Sequence, residues 1–137
     1  MAARAGDTFL LTRGTGEVPH PWVILWGPAG AAQSVLAVYL TTLRAHSDRN
    51  CILVHGEHPF IQHDTAVAYG AVQRWTDERL SELAAAGIAK PRPPVSSNVL
   101  ERLRAGFFAS PRTPNAIRRM AVEVFGASDP SAPPPAE

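Results

Sequence analysis

Pro21-Trp-Val-Ile-Leu-Trp26 is a nearly continuous apolar run of strand length, the pattern of a strand covered on both faces. Working outward, Asp7-Thr-Phe-Leu-Leu-Thr-Arg13 reads as a preceding strand of β-formers. The glycines and prolines between Gly14 and Pro21 make a loop around Glu17 and His20. Gly27-Pro-Ala-Gly30 is expected to break the apolar run. Gln33 to Thr41 follows as a third strand, although its alanines leave a helix open. A polar turn from Arg44 to Asn50, a short strand from Cys51 to Val54 and a fifth strand from Thr65 to Ala71 complete the β-rich half.

The periodicity then becomes helical. Thr76 is a capping residue, with Asp77 and Glu78 in the first turn where the helix dipole favours acids; Leu80, Leu83 and Ala84 form a stripe, and Gly87 ends it. Pro91-Arg-Pro-Pro94 is read as a stiff connector. Ser96 or Ser97 can cap a second helix carrying Val99, Leu100, Leu103 and Phe107. Thr113-Pro114 reads as the cap and first position of a third, with Ile117, Met120, Ala121, Val124 and Phe125 on one face and Gly126 at its end. Strands first and helices last argue an α+β fold with a mainly antiparallel sheet. Residues 1–126 are expected to be a single domain, and residues 127–137 a disordered, Pro/Ala-rich tail.

A length of 137 residues, 45% hydrophobic and 18% charged, suits one soluble domain, and no run approaches the ~20 apolar residues of a membrane span. The first residues, Met1-Ala-Ala-Arg-Ala-Gly-Asp7, lack the apolar core of a secretory signal, so a cytoplasmic location is expected. The lone Cys51 excludes an internal disulfide and is read as a small buried residue. Net charge is +1, but Lys90 to Arg119 holds seven bases against Glu101 alone. That third of the chain is either a phosphate- or acid-binding surface or a solvated helix face.

Chemistry-bearing residues concentrate between Cys51 and Tyr69, where His55, His58 and His63 fall close together. Histidine titrates near neutrality and serves proton transfer, metal binding or, when buried and hydrogen-bonded, structure alone. A metal site would draw on His55, His58 and His63 with Glu57 and Asp64 nearby, but no cysteine pair or helical H-E-x-x-H supports it. Trp26 to Ser34 imitates a phosphate-binding loop, yet Ala32 and Gln33 replace its second glycine and its lysine, so a turn is the better reading. The remaining chemistry is metal-free cleavage of a phosphodiester. His20, His58 and His63 are candidate acids or bases, Thr41, Thr42 and Tyr69 candidate donors, and Arg13, Arg44 and Arg49 candidate phosphate holders.

The order of these pieces resembles the PemK/MazF-like toxins, in the CcdB/MazF-type superfamily. The resemblance rests on Gly6-Asp7 opening the first strand, His20-Pro-Trp-Val-Ile-Leu25, Leu40-Thr-Thr42, Asp64-Thr-Ala-Val-Ala68 and the Pro93-Pro-Val-Ser-Ser-Asn-Val-Leu-Glu-Arg-Leu103 segment. It spans about Gly6 to Phe108, with His58-Pro-Phe-Ile-Gln-His63 and Ser110-Pro-Arg-Thr-Pro114 marking a divergent branch with an added C-terminal helix. It implies a small SH3-like antiparallel β-barrel with C-terminal helices, forming a homodimer. The implied activity is that of a metal-independent endoribonuclease without cofactor, acting on single-stranded RNA and restrained by a small antitoxin protein. In such toxins an arginine before the proline of the second strand and a threonine ending the third carry catalysis. Thr41 matches the threonine, while His20 stands at the arginine position. On this expectation His20, Thr41, His58 and His63 are catalytic; Arg13, Thr42, Arg44 and Tyr69 bind substrate; and Pro59-Phe60 is the rigid link between two histidines. The alternative is a non-enzymatic protein- or nucleic-acid-binding module on the same fold.

Overall fold

The computed structural model describes residues 3–12 and 19–129. They form seven strands and three α-helices: β1 Thr8–Leu11, β2 His20–Ala29, β3 Ser34–Thr42, β4 Ile52–Leu53, β5 Thr65–Val67, β6 Gln73–Thr76, α1 Asp77–Ala85, β7 Ala89–Arg92, α2 Ser97–Ala109 and α3 Asn115–Glu123. Every strand pairing is antiparallel, in the order β4-β5-β3-β2-β1-β7, with β6 also on β3. This is an α+β fold. Among the described residues no pairing joins β4 to β7, so the sheet is open. No described helix is long and apolar enough to cross a membrane.

Strand β3 organises the sheet because it is long enough to serve three neighbours. Its first half pairs with β6, its last three residues with β5, and its other edge with β2. Successive side chains of a strand point to opposite faces. Leu36, Val38 and Leu40 therefore join the apolar layer beneath α2 and α3, while Val35 and Ala37 join a second layer beneath α1. In β2, Val23 and Leu25 enter the first layer, and Trp22 and Ile24 the second. Both faces of the Pro21–Trp26 run are thus covered, as its composition predicts. Burying each large side chain contributes about 1.5–3 kcal/mol before the entropy of ordering it is subtracted.

A register shift between Ile24 and Trp26 lets Leu25 and Trp26 both reach the first layer. At this bulge the Leu25 carbonyl accepts from Arg104 Nε at 2.8 Å, and the Arg104 guanidinium lies 5.2 Å from the centre of the Trp26 ring. The expected break at Gly27–Gly30 is displaced. β2 runs on to Ala29, and the chain turns at Gly30–Gln33, where Gln33 N donates to Gly30 O. Gly27 has φ +115°, and a Cβ there would sit 2.6 Å from the Ser34 carbonyl oxygen, so only glycine fits this approach to β3.

Other expectations shift for physical reasons. Pro91 lies within β7, paired to β1, rather than in a connector; β7 is an edge strand, the place in a sheet that tolerates proline. The polar Gln73-Arg74 pair hides strand β6, in which Trp75 packs on the second layer. The fifth strand stops at Val67, and Tyr69–Ala71 is a 3₁₀ turn. The caps at Thr76 and Ser96 form as read, each accepting a backbone N–H three residues on. Thr113 does not cap α3: its hydroxyl donates to the Phe107 carbonyl, leaving Pro114 at the cap position. Ala127 still donates to the Ala121 carbonyl and packs on the first layer, so the expected tail does not begin there. The rest of that tail, residues 130–137, lies outside the described residues, as does Arg13, expected to bind substrate.

Candidate functional site

The start of β2, the end of β3 and the loop from Val54 to Asp64 enclose a cleft of about 410 Å³. It is lined by His20, Thr41, Thr42, Arg44 and His63, with Leu40, Phe60, Ile61 and Thr65 among its walls. No carboxylate lines it among the described residues, so Arg44 makes its described lining positive.

Each polar group has a local reason for its place. His20 is exposed at the first position of β2. Its ring lies 5.2 Å from that of Tyr39, which lies 5.1 Å from Trp22, which in turn meets Trp75 at 4.7 Å. This row of rings runs along the face of the second apolar layer and ends at His20, in the lining of the cleft. Thr41 and Thr42 pair with Ala66 and Thr65, and one residue further on Leu43 N still donates to Asp64 O at 3.0 Å. That extension of the ladder brings His63 beside Thr42: Thr42 Oγ1 and His63 Nε2 share a hydrogen bond of 3.0 Å. Thr65 Oγ1 donates to the His63 carbonyl at 2.8 Å, fixing the backbone from the other side. Arg44 is exposed at the rim, and its backbone N–H donates to Ser47 Oγ at 2.8 Å.

Two residues expected at the site lie elsewhere. His58 is 5% exposed, and its Nε2 contacts the Pro93 carbonyl while its Nδ1 accepts from Phe60 N at 3.3 Å. The tautomer protonated on Nε2 satisfies both contacts, which makes His58 a buried bracket between the loop and the chain before α2. Tyr69 is fully buried, and its hydroxyl donates to Leu103 O at 2.7 Å. Burial, reinforced by the neighbouring Cys51, pushes its phenol well above the ordinary value; burial likewise pushes the Cys51 thiol up. Both groups are neutral at physiological pH. Gly106 makes room for this contact, since a Cβ there would lie 2.2 Å from the Tyr69 oxygen.

Four of the seven bases between Lys90 and Arg119 are committed to the scaffold, while Lys90, Arg92 and Arg119 stay exposed. Arg102 pairs with Glu57 and donates to Ile52 O; Arg104 holds the bulge; Arg112 donates to His46 O; Arg118 reaches the Ser110 carbonyl. These arginines tie the C-terminal helices to loops and strands that are distant in sequence. Asp48 belongs to the same framework. Burial raises its pKa, but hydrogen bonds from Ser110 and Asn50, with Arg112 nearby, outweigh this and hold the carboxyl below the usual range. Glu57 is likewise held low: the Arg102 pair and the Val54 N–H overcome its burial.

His55 and Arg49 are exposed and do not line the cleft. Among the described residues, no three His, Cys, Asp or Glu side chains gather where they could hold a metal ion. A larger groove of about 590 Å³ runs beside Trp26, Arg104, Phe108 and Phe125, but it contains no histidine and its Arg104 is committed to Leu25. Residue-type reasoning missed that Phe60 and Ile61 are walls of the cleft. The available signal was an apolar pair inside an otherwise polar, histidine-rich loop. Compared with known proteins, the chain matches no family model and no curated sequence.

Proposed function

We propose that the chain is a metal-independent endoribonuclease cleaving single-stranded RNA, a divergent PemK/MazF-like toxin whose open sheet is a variant of the SH3-like barrel. The observation that carries the reading is the convergence of two histidines, two threonines and an arginine on one cleft that no carboxylate lines among the described residues. RNA contains its own nucleophile, so the protein needs a base, an acid and a stabiliser of phosphate charge. One of His20 and His63 takes the proton of the 2′-hydroxyl as O2′ bonds to phosphorus. The other gives a proton to O5′ as the P–O5′ bond breaks, leaving a 2′,3′-cyclic phosphate and a 5′-hydroxyl. Arg44 holds a phosphate oxygen, Thr41 donates to the reacting phosphate, and Thr42 orients His63. His20 replaces the family's arginine with a group that transfers protons as well as carrying charge. By the same resemblance the protein acts as a homodimer restrained by a small antitoxin, and its place of action is the cytoplasm.

The test is incubation of the purified protein with single-stranded RNA in the presence of chelator, beside His20→Ala, Thr41→Ala and His63→Ala. Cleavage that ends in cyclic phosphate and is lost in the histidine variants is expected. Intact RNA across pH and sequence overturns the reading. One observation favours a second reading, a non-enzymatic nucleic-acid-binding module: Arg44 is the one guanidinium lining the cleft among the described residues. Retarded but uncut RNA would select it.

A further inference from the structure

We propose that Phe60 is the stacking platform for one nucleobase of the bound strand, the part of the cleft that selects a flexible, unpaired nucleotide. The inference rests on the reading of the cleft as an RNA site. Several large aromatics of the core are almost wholly buried, as with Phe9 at 2%, Phe107 at 0% and Phe108 at 6%. Phe60, like Tyr39, Trp75 and Phe125, packs on an apolar layer yet stays partly exposed, and of these four it is Phe60 that walls the cleft.

Its position is built rather than accidental. The ring of His58 lies 3.8 Å away, centre to centre, and His58 Nδ1 holds the Phe60 N–H. Ile61 N donates to His58 O at 2.9 Å, and Gln62 Nε2 to Pro59 O at 2.8 Å, closing the turn on both sides of the ring. The ring is therefore set in place before any ligand arrives, which lowers the ordering cost of binding. An aromatic face beside a cation and two proton-transfer groups suits a nucleotide, with base on the ring and phosphate toward Arg44 and His63. A base locked in a duplex cannot reach such a face without unstacking, so the same residue accounts for single-strand preference.

The probe is a fluorescein-labelled single-stranded 2′-fluoro RNA oligomer, which lacks the attacking hydroxyl and cannot be cleaved by this route. Affinity is read by anisotropy for the wild type, Phe60→Leu and Phe60→Tyr, each checked by thermal melting. Phe60→Leu is expected to bind about five- to a hundredfold more weakly, and Phe60→Tyr about as well as the wild type. Replacing one nucleotide at a time by an abasic unit should reproduce the loss at one position in the wild type and add nothing in Phe60→Leu. Equal affinity of folded Phe60→Leu and wild type, or losses that simply add, overturn the platform while leaving cleavage of ordinary RNA to stand or fall separately. Tight, Phe60-dependent binding without cleavage of ordinary RNA supports the platform and overturns the proposed chemistry. No binding by the wild type overturns both.

Discussion

His58 and His63 sit five residues apart in one loop and have opposite surroundings. His58 is enclosed, with both ring nitrogens engaged by backbone groups; His63 is exposed, with Nε2 beside a single threonine hydroxyl. The same contrast separates the cleft from the polar framework beneath α2, where Tyr69 and Ser110 are fully buried, Asp48 nearly so, and all three are hydrogen-bonded. A buried polar side chain with its bonds satisfied specifies structure, because any change leaves an unpaired partner. An exposed one with capacity to spare is free to meet a substrate. Residue type alone does not separate the two regions; solvent access and partners do.

The contrast breaks most sharply if the cleft histidine proves structural. Under the proposed reaction, His63→Ala should lower RNA cleavage about 10²- to 10⁴-fold. Its unfolding free energy should change by no more than about 0.5 kcal/mol, as for other exposed sites. A large loss of stability with unchanged cleavage in urea titration and RNA assays would reverse the assignment.

Gly106→Ala tests the buried side. The new methyl overlaps the Tyr69 hydroxyl, so a loss of about 2–3 kcal/mol is expected in denaturant unfolding. Adding Tyr69→Phe should recover part of it, since the double variant removes the overlapping oxygen. Full additivity would mean that the two residues do not share this contact.

His58→Ala should cost about 1–3 kcal/mol, by leaving the Pro93 carbonyl and the Phe60 N–H without their partner. Cleavage per folded molecule should fall far less than in His63→Ala. Equal losses of activity would place both histidines in the chemistry.

The smallest expected effect is confined to acid. Asp48 is depressed in the folded state relative to an ordinary aspartate near about 4. Its stabilising contribution is therefore complete above that value and is lost as pH falls through the lower folded value. Asp48→Asn should flatten this acid limb of stability against pH. Glu57, also depressed, should keep part of the slope until Glu57→Gln is added. An unchanged slope in both variants would remove these carboxylates from the acid response.

Much of the scaffold was legible before folding. The strand-length run of β3, the two-sided apolar run of β2, the Thr76 and Ser96 caps and the apolar stripes of the C-terminal helices are local patterns, readable from period and propensity. Strands β6 and β7 were hidden because Gln73-Arg74 and Lys90-Pro91-Arg92 carry little apolar signal; pairing with β3 and β1 makes them strands. Within the candidate site, His20, Thr41, Thr42, Arg44 and His63 meet as residue type and order suggested.

Sequence by itself determined the three helices and the strands other than β6 and β7, because those preferences act over a few residues. Only the tertiary structure decided which polar groups are occupied. Pro93 lies 35 residues from His58, Leu103 lies 34 from Tyr69, and Leu25 lies 79 from Arg104. No local pattern encodes such partners. Burial and hydrogen bonding at that range remove His58 and Tyr69 from the cleft and bind the arginines to the scaffold, while His20 and His63 remain open to solvent.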